Sequence, residues 1–201
     1  LFYKFYFLII NYWVTILFRL EIVNIIARTQ LPMEIDLKKL AEEIGGEYRH
    51  RRFPGLIKRF NGLGTFLFFK NGKVSIVGIK SYDDLPRASY LLKKLFNLSR
   101  RPKLFVKNVV VTVYYNDWLP IEKFASICGN ECFYEPKVFP ALSYNHKNIT
   151  ALIFGSGKVI MSGSNKLEDY YELAEYLDNV FSTLRGGAQD NKAFSMSSFS
   201  K

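Results

Sequence analysis

A chain of 201 residues, 49% of them apolar, has the material for one compact domain or for two small halves on a shared sheet. Its net charge of +10 and pI near 9.5 are costly self-repulsion unless phosphate or anionic lipid offsets them, so a polyanionic partner is expected. Two cysteines, Cys128 and Cys132, are too few for a disulfide framework or a zinc site and fit a reducing compartment, and His50 and His146 stand too far apart in sequence to suggest a metal.

Residues 1–19 open with an uncharged run from Phe5 to Phe18, shorter than the roughly 18 to 20 residues a spanning helix needs, and are read as an apolar extension outside the core. From there the chain reads as the same unit twice, in residues 20–100 and 101–184. The strand IVNIIART (Ile22 to Thr29) returns as VKNVVVTV (Val106 to Val113), with Asn24 and Asn108 at an offset of 84. Leu37, Leu40, Ala41 and Ile44 have helical spacing, as do Ile121, Phe124, Ala125 and Cys128, which places Cys128 in the core as an inert thiol. FPGL (Phe53 to Leu56) returns as FPAL (Phe139 to Leu142) at an offset of 86. The hairpin TFLFFKNGKV (Thr65 to Val74) returns as TALIFGSGKV (Thr150 to Val159), with Asn71-Gly72 and Ser156-Gly157 as two-residue turns. A second helix closes each unit, on Ala88, Leu91, Leu92, Leu95 and Phe96, then on Leu173, Tyr176, Leu177, Val180 and Phe181. Residues 185–201, rich in Ser and Gly, read as a disordered tail.

Alternation along the hairpins makes both sheet faces apolar, with Thr65, Leu67 and Phe69 on one side and Phe66 and Phe68 on the other, then Thr150, Leu152 and Phe154 against Ala151 and Ile153. Two helices per unit cover only one of those faces. A second sheet, a dimer or a closed cavity would each cover the other.

The motifs YEPKVFPAL and TALIFGSGKVIMSG, with the looser YRHRRFPGLI and TFLFFKNGKVSIVG and the two Asn-bearing strands, resemble those of the TATA-box-binding protein family from about Leu20 to Leu184. The resemblance implies an α+β fold: a pseudo-twofold saddle of two repeats, a curved antiparallel sheet with two helices per repeat on the convex face and DNA under the concave one. It implies a nuclear, non-enzymatic general transcription factor that bends A·T-rich promoter DNA from the minor groove and nucleates initiation complexes with RNA polymerase machinery. Phe53 with Phe69 and Phe139 with Phe154 would be the wedges at its two ends. Leu67 and Leu152 would pack beside them, and Asn24 and Asn108 would meet the minor-groove acceptors, among Ile26, Val110, Ser75, Val77, Ile160 and Ser162. Arg59, Lys73 and Lys158 would reach phosphates, and Glu135, Lys137 and Val138 would face a factor of the transcription factor IIB kind.

Two departures from the family pattern predict unequal halves. Val77 lacks the hydroxyl that Ser162 keeps, which relaxes base preference under repeat one, and Asn145 stands where repeat one has Arg59, which weakens the phosphate grip of repeat two. FGSGK is not a phosphate loop, since Leu152 and Val159 replace its required Gly and Ser or Thr, and no residues stand at catalytic spacing, so no cofactor, metal or enzymatic activity is expected. The alternative is a paralogue of the same fold whose apolar sheet face takes a protein or lipid ligand. Retention of all four phenylalanines and both asparagines counts against it.

Overall fold

The structure, a computed structural model, describes residues 18–48 and 53–186. The first repeat runs β1 (Phe18–Gln30), α1 (Leu37–Ile44), β2 (Glu47–Tyr48), β3 (Gly55–Phe60), β4 (Gly64–Phe69), β5 (Lys73–Ile79) and α2 (Asp84–Leu95). The second runs β6 (Phe105–Tyr115), α3 (Ile121–Ile127), a 3-10 turn (Gly129–Glu131), β7 (Cys132–Phe133), β8 (Ala141–His146), β9 (Ile149–Phe154), β10 (Lys158–Ser162) and α4 (Leu167–Gly186). All ten strands form one open antiparallel sheet in the order β2-β3-β4-β5-β1-β6-β10-β9-β8-β7. That order is a palindrome about the β1–β6 pair: each repeat contributes five strands, and the longest strand of each meets at the centre.

The helices lie on one face because that face alone is dry. Ile25, Ala27, Phe66, Phe68, Val74 and Ile76 in repeat one, and Val109, Val111, Val113, Ala151, Ile153, Val159 and Met161 in repeat two, are completely buried in a single core. Against them pack Leu37 and Leu40 of α1, Ala88 and Leu92 of α2, Ile121 and Phe124 of α3, and Leu173, Ala174, Leu177 and Phe181 of α4. Asp36 starts α1 by accepting from the backbone N–H of Lys38 and Lys39 at 3.0 and 3.1 Å, satisfying two otherwise unpaired donors. In repeat two the Tyr115 hydroxyl donates to the Ala174 carbonyl at 2.8 Å, tying the central strand to α4.

The hairpin tips explain why the same turn is written twice. Three residues, not two, separate β4 from β5 and β9 from β10, with Gly72 and Gly157 in the left-handed region at φ of 80° and 89°. Gly72 accepts from Leu31 N–H at 2.9 Å, and Gly157 from Tyr115 N–H at 2.8 Å, so each tip docks on the end of its repeat's long strand. A Cβ at Gly72 would lie 2.2 Å from the Met33 carbonyl oxygen, and one at Gly157 2.7 Å from that of Asp117.

Three further expectations need correction. β1 begins at Phe18, so Phe18 and Arg19 belong to the sheet, and the Phe18 ring sits 5.6 Å from that of Tyr115; the rest of the expected extension, residues 1–17, lies outside the described residues. α4 continues through Gly186, so Arg185 and Gly186 are helical rather than tail, and residues 187–201 lie outside the described part. Cys128 is buried, but it is bonded to Cys132 rather than free: the end of α3 turns back within four residues to bring the two sulfurs together. Helical spacing identified the burial of Cys128 but carried no information about the turn that follows.

Candidate nucleic-acid interface

Among the described residues the second face of the sheet carries no helix, and apart from the buried Ser75 and Thr112 its residues are half-buried or exposed. At its centre Asn24 stands opposite Val110 and Ile26 opposite Asn108, so the two asparagines are diagonal neighbours across the pseudo-dyad. Their carbonyl ends are already used: Asn24 Oδ1 accepts from Gly78 N–H at 2.6 Å, and Asn108 Oδ1 from Gly163 N–H at 3.0 Å. Each amide is thereby oriented, and among the described residues its NH2 group has no partner. What each asparagine offers a ligand is a pair of donors.

Outward from the centre, strand register places the remaining residues in matched rows. Val77 opposes Thr65, which opposes Arg59, and Ser162 opposes Thr150, which opposes Asn145. Ser75 opposes Leu67, and Ile160 opposes Leu152. The departures read from the sequence therefore fall at equivalent positions. Thr150 donates to Asn145 at 2.9 Å, whereas Arg59 is exposed with no ion pair among the described residues. Lys73 opposes Gln30 and is exposed; Lys158 opposes Tyr114 and is half-buried. Among the described residues no group of His, Cys, Asp or Glu is placed to hold a metal.

The aromatic pairs stand at the two ends. Phe53 and Phe69 have ring centroids 5.7 Å apart, tilted by 60°, and Phe139 and Phe154 are 6.1 Å apart at 67°. Phe69 opposes Gly55 and Phe154 opposes Ala141, so a small residue under each pair lets the preceding Phe lie over its partner. β4 and β9 are five strand intervals apart, which at about 4.8 Å per interval is about 24 Å, the length of about seven stacked base pairs. Beyond the second pair, the Glu135 carbonyl accepts from Val138 and Phe139 N–H at 2.9 and 3.0 Å. That turn exposes Glu135, Lys137 and Val138 together, with Val138 81% and nearby Phe133 71% accessible.

Several residues of this face are not legible from alternation. Val23 is an extra residue in β1 and Lys107 an extra residue in β6, each opposing no partner. The bulge at Val23 turns Ile22 and Leu20 into the core, where simple alternation from Asn24 would leave them on the open face, and brings up Glu21 and Arg19 instead, while the bulge at Lys107 brings up Phe105: Glu21 opposes Thr112, Arg19 opposes Tyr114, and Phe105 opposes Arg28, which alternation from Asn24 already places on this face. The available signal was the charge of Arg19, Glu21 and Arg28 within β1.

The chain matches the family model described as transcription factor TFIID (or TATA-binding protein, TBP) over residues 19–98 and again over 103–184. It is 33% identical over 177 residues to the TATA-box-binding protein of Archaeoglobus fulgidus, covering 83% of this chain and 97% of the relative. To that of Thermococcus kodakarensis it is 34% identical, covering 79% of this chain and 88% of the relative. Among solved structures, Methanococcus jannaschii TBP superposes with a TM-score of 0.68 at 28% identity, covering 83% of this chain and 98% of that one.

Proposed function

The chain belongs to the TATA-binding protein family, and from that premise we propose that it binds A·T-rich promoter DNA through the minor groove, bends it and seeds a transcription initiation complex. The family is one of non-enzymatic transcription factors, and it is the type case of minor-groove wedging, so that geometry is taken over from the family. The observation carrying the reading is the arrangement of the open face: two oriented asparagine NH2 groups at its centre and one phenylalanine pair at each end, on apolar ground left half-buried. A pair of donors meets adenine N3 and thymine O2, whereas the guanine amino group would bring a third donor against them and hold the apolar ground off the base pairs. Each Phe pair levers open one base step, at a cost of a few kcal/mol offset by the larger surface that bent DNA presents. Arg59, Lys73 and Lys158 reach the phosphates alongside.

The exposed Glu135, Lys137 and Val138 form the surface for an initiation factor of the transcription factor IIB kind. Lys137 adds a positive charge to that surface, so the factor presents an acidic group to it. The matched relatives are archaeal, and the compartment inferred is that of the genome rather than a nucleus as such. The test is a mobility-shift titration at fixed salt with A·T-rich and G·C-rich duplexes of equal length. A preference for the A·T-rich duplex of tenfold or more is expected. Equal binding would overturn the reading and return the open face to a protein or lipid ligand.

A further inference from the structure

A second difference between the halves lies on matched positions of the two central strands, beside their bulges. Arg19, Glu21, Val23 and Thr112 on one flank of the pseudo-dyad match Lys103, Phe105, Lys107 and Arg28 on the other, each at an offset of 84. On the first flank charge is cancelled internally: Arg19 bonds Glu21 at 2.9 Å and lies 4.7 Å over the Tyr114 ring, Val23 is apolar, and Thr112 is buried. On the second flank none of the four residues is acidic. The Lys103 and Lys107 ammonium groups lie 5.2 and 5.9 Å from the centroid of the half-exposed Phe105 ring, and Arg28 stands directly across the ladder from that ring. All three cations are exposed, and among the described residues none is in an ion pair.

Three like charges gathered around one ring repel one another in the free protein, and a ligand that brings negative charge relieves this. The ring favours one cation over its face but does not cancel three. The cluster adjoins the open face: Arg28 stands beside Ser75, which stands beside Leu67. A duplex lying on that face runs its phosphates past the cluster. We propose that Arg28, Lys103 and Lys107 form a phosphate site for one DNA backbone strand, with no equivalent on the Glu21 flank, and that this site sets the direction in which the protein lies on an asymmetric promoter. The proposal rests on the DNA-binding reading above.

The test is the salt dependence of DNA affinity. Each lost phosphate contact makes the slope of log affinity against log salt shallower by about 0.9. Replacing Arg28, Lys103 and Lys107 together by Ala should make it shallower by about two to three, Arg28→Gln alone by about one, and Arg19→Ala by well under one because Glu21 already neutralises it. Thermal melting of the variants should match the unaltered protein, since all three side chains are exposed. Orientation is read by hydroxyl-radical cleavage from an iron chelate attached at Asn61→Cys, in the exposed turn between β3 and β4. Cleavage should fall on one side of the promoter element, and on both sides in the triple variant. A triple variant with unchanged slope and unchanged one-sided cleavage would overturn the site while leaving DNA binding intact; failure of the unaltered protein to bind A·T-rich DNA would remove both readings together.

Discussion

Repeat one and repeat two share a scaffold and differ in nearly every charge laid on it. α2 carries Arg87, Lys93 and Lys94 with only Asp84 against them, whereas α4 carries Glu168, Asp169, Glu172, Glu175 and Asp178 with only Arg185. On the open face Arg59 faces Asn145 across the pseudo-dyad, Val77 faces Ser162, and Phe105 faces Glu21. The buried face shows no such drift: Phe66 and Phe68 become Ala151 and Ile153, and Val74 and Ile76 become Val159 and Met161, all sealed and all apolar. Side chains under the helices answer to packing, which penalises any polar change by kilocalories. Those on the open face are held in place by the fold but not needed for it, so the two copies were free to specialise there.

The largest test of that division is to remove one of the proposed wedges at a time. Phe53→Ala with Phe69→Ala should abolish the bend at one end of the site, and Phe139→Ala with Phe154→Ala the bend at the other. Energy transfer between dyes on the duplex ends should fall roughly halfway to the value of straight DNA in each case, and to it when all four are replaced. Affinity should fall by about a hundredfold per pair, about 2.7 kcal/mol. Lys137→Ala, on the exposed turn beside the second pair, should leave bending unchanged. Bending retained in both double variants would mean that the aromatic pairs are packing for the sheet ends only.

A smaller effect separates the hairpin tips. Gly72→Ala and Gly157→Ala impose the same left-handed strain, but the added methyl meets the Met33 carbonyl at 2.2 Å in the first and the Asp117 carbonyl at 2.7 Å in the second. Gly72→Ala should cost about 3 kcal/mol of stability and Gly157→Ala about 1 to 2 kcal/mol, read from urea midpoints. Equal losses would mean that backbone strain alone, not the close approach to the loop after β1, requires glycine there.

Those tips also show what sequence could and could not reveal. Repetition, helical spacing and strand alternation were legible because each is a period imposed by burial, and Phe66 and Phe68 followed from alternation alone. Asn71-Gly72 was legible as a turn, but not its third residue, because loop length depends on docking against Leu31 some forty positions earlier in the chain. Phe105, Glu21 and Arg19 were missed on the open face for a related reason. A bulge is an agreement between two strands about which residue to skip, and neither Val23 nor Lys107 carries a mark of it. The internal bonds that orient Asn24 and Asn108 come from Gly78 and Gly163, over fifty residues away in each repeat.

The smallest expected difference between the halves is in their response to acid. β3 ends in Phe60, whose ring packs edge-on against Phe66 at 4.9 Å; the matched end of β8 is His146, stacked on Tyr176 at 5.8 Å, with Nδ1 3.3 Å from the Tyr144 hydroxyl. Burial lowers the His146 pKa below the ordinary value, the neighbouring charge of Lys147 adds to this, and Glu131 opposes it. The folded state therefore favours the neutral ring, while the unfolded chain takes up a proton near pH 6.5. Below that value unfolding gains a proton that the fold resists, so stability falls with pH from about 6.5 down to the lowered pKa; above 6.5 the group contributes no slope. His146→Phe, which copies the residue of repeat one, should shrink the difference between urea midpoints measured at pH 7.5 and pH 5.5, whereas Phe60→Tyr in repeat one, which adds no group titrating in that range, should leave it as it was. A midpoint difference unmoved by His146→Phe would place the acid sensitivity in the carboxylates that both repeats carry, and this end of β8 would then be no more pH-dependent than its twin.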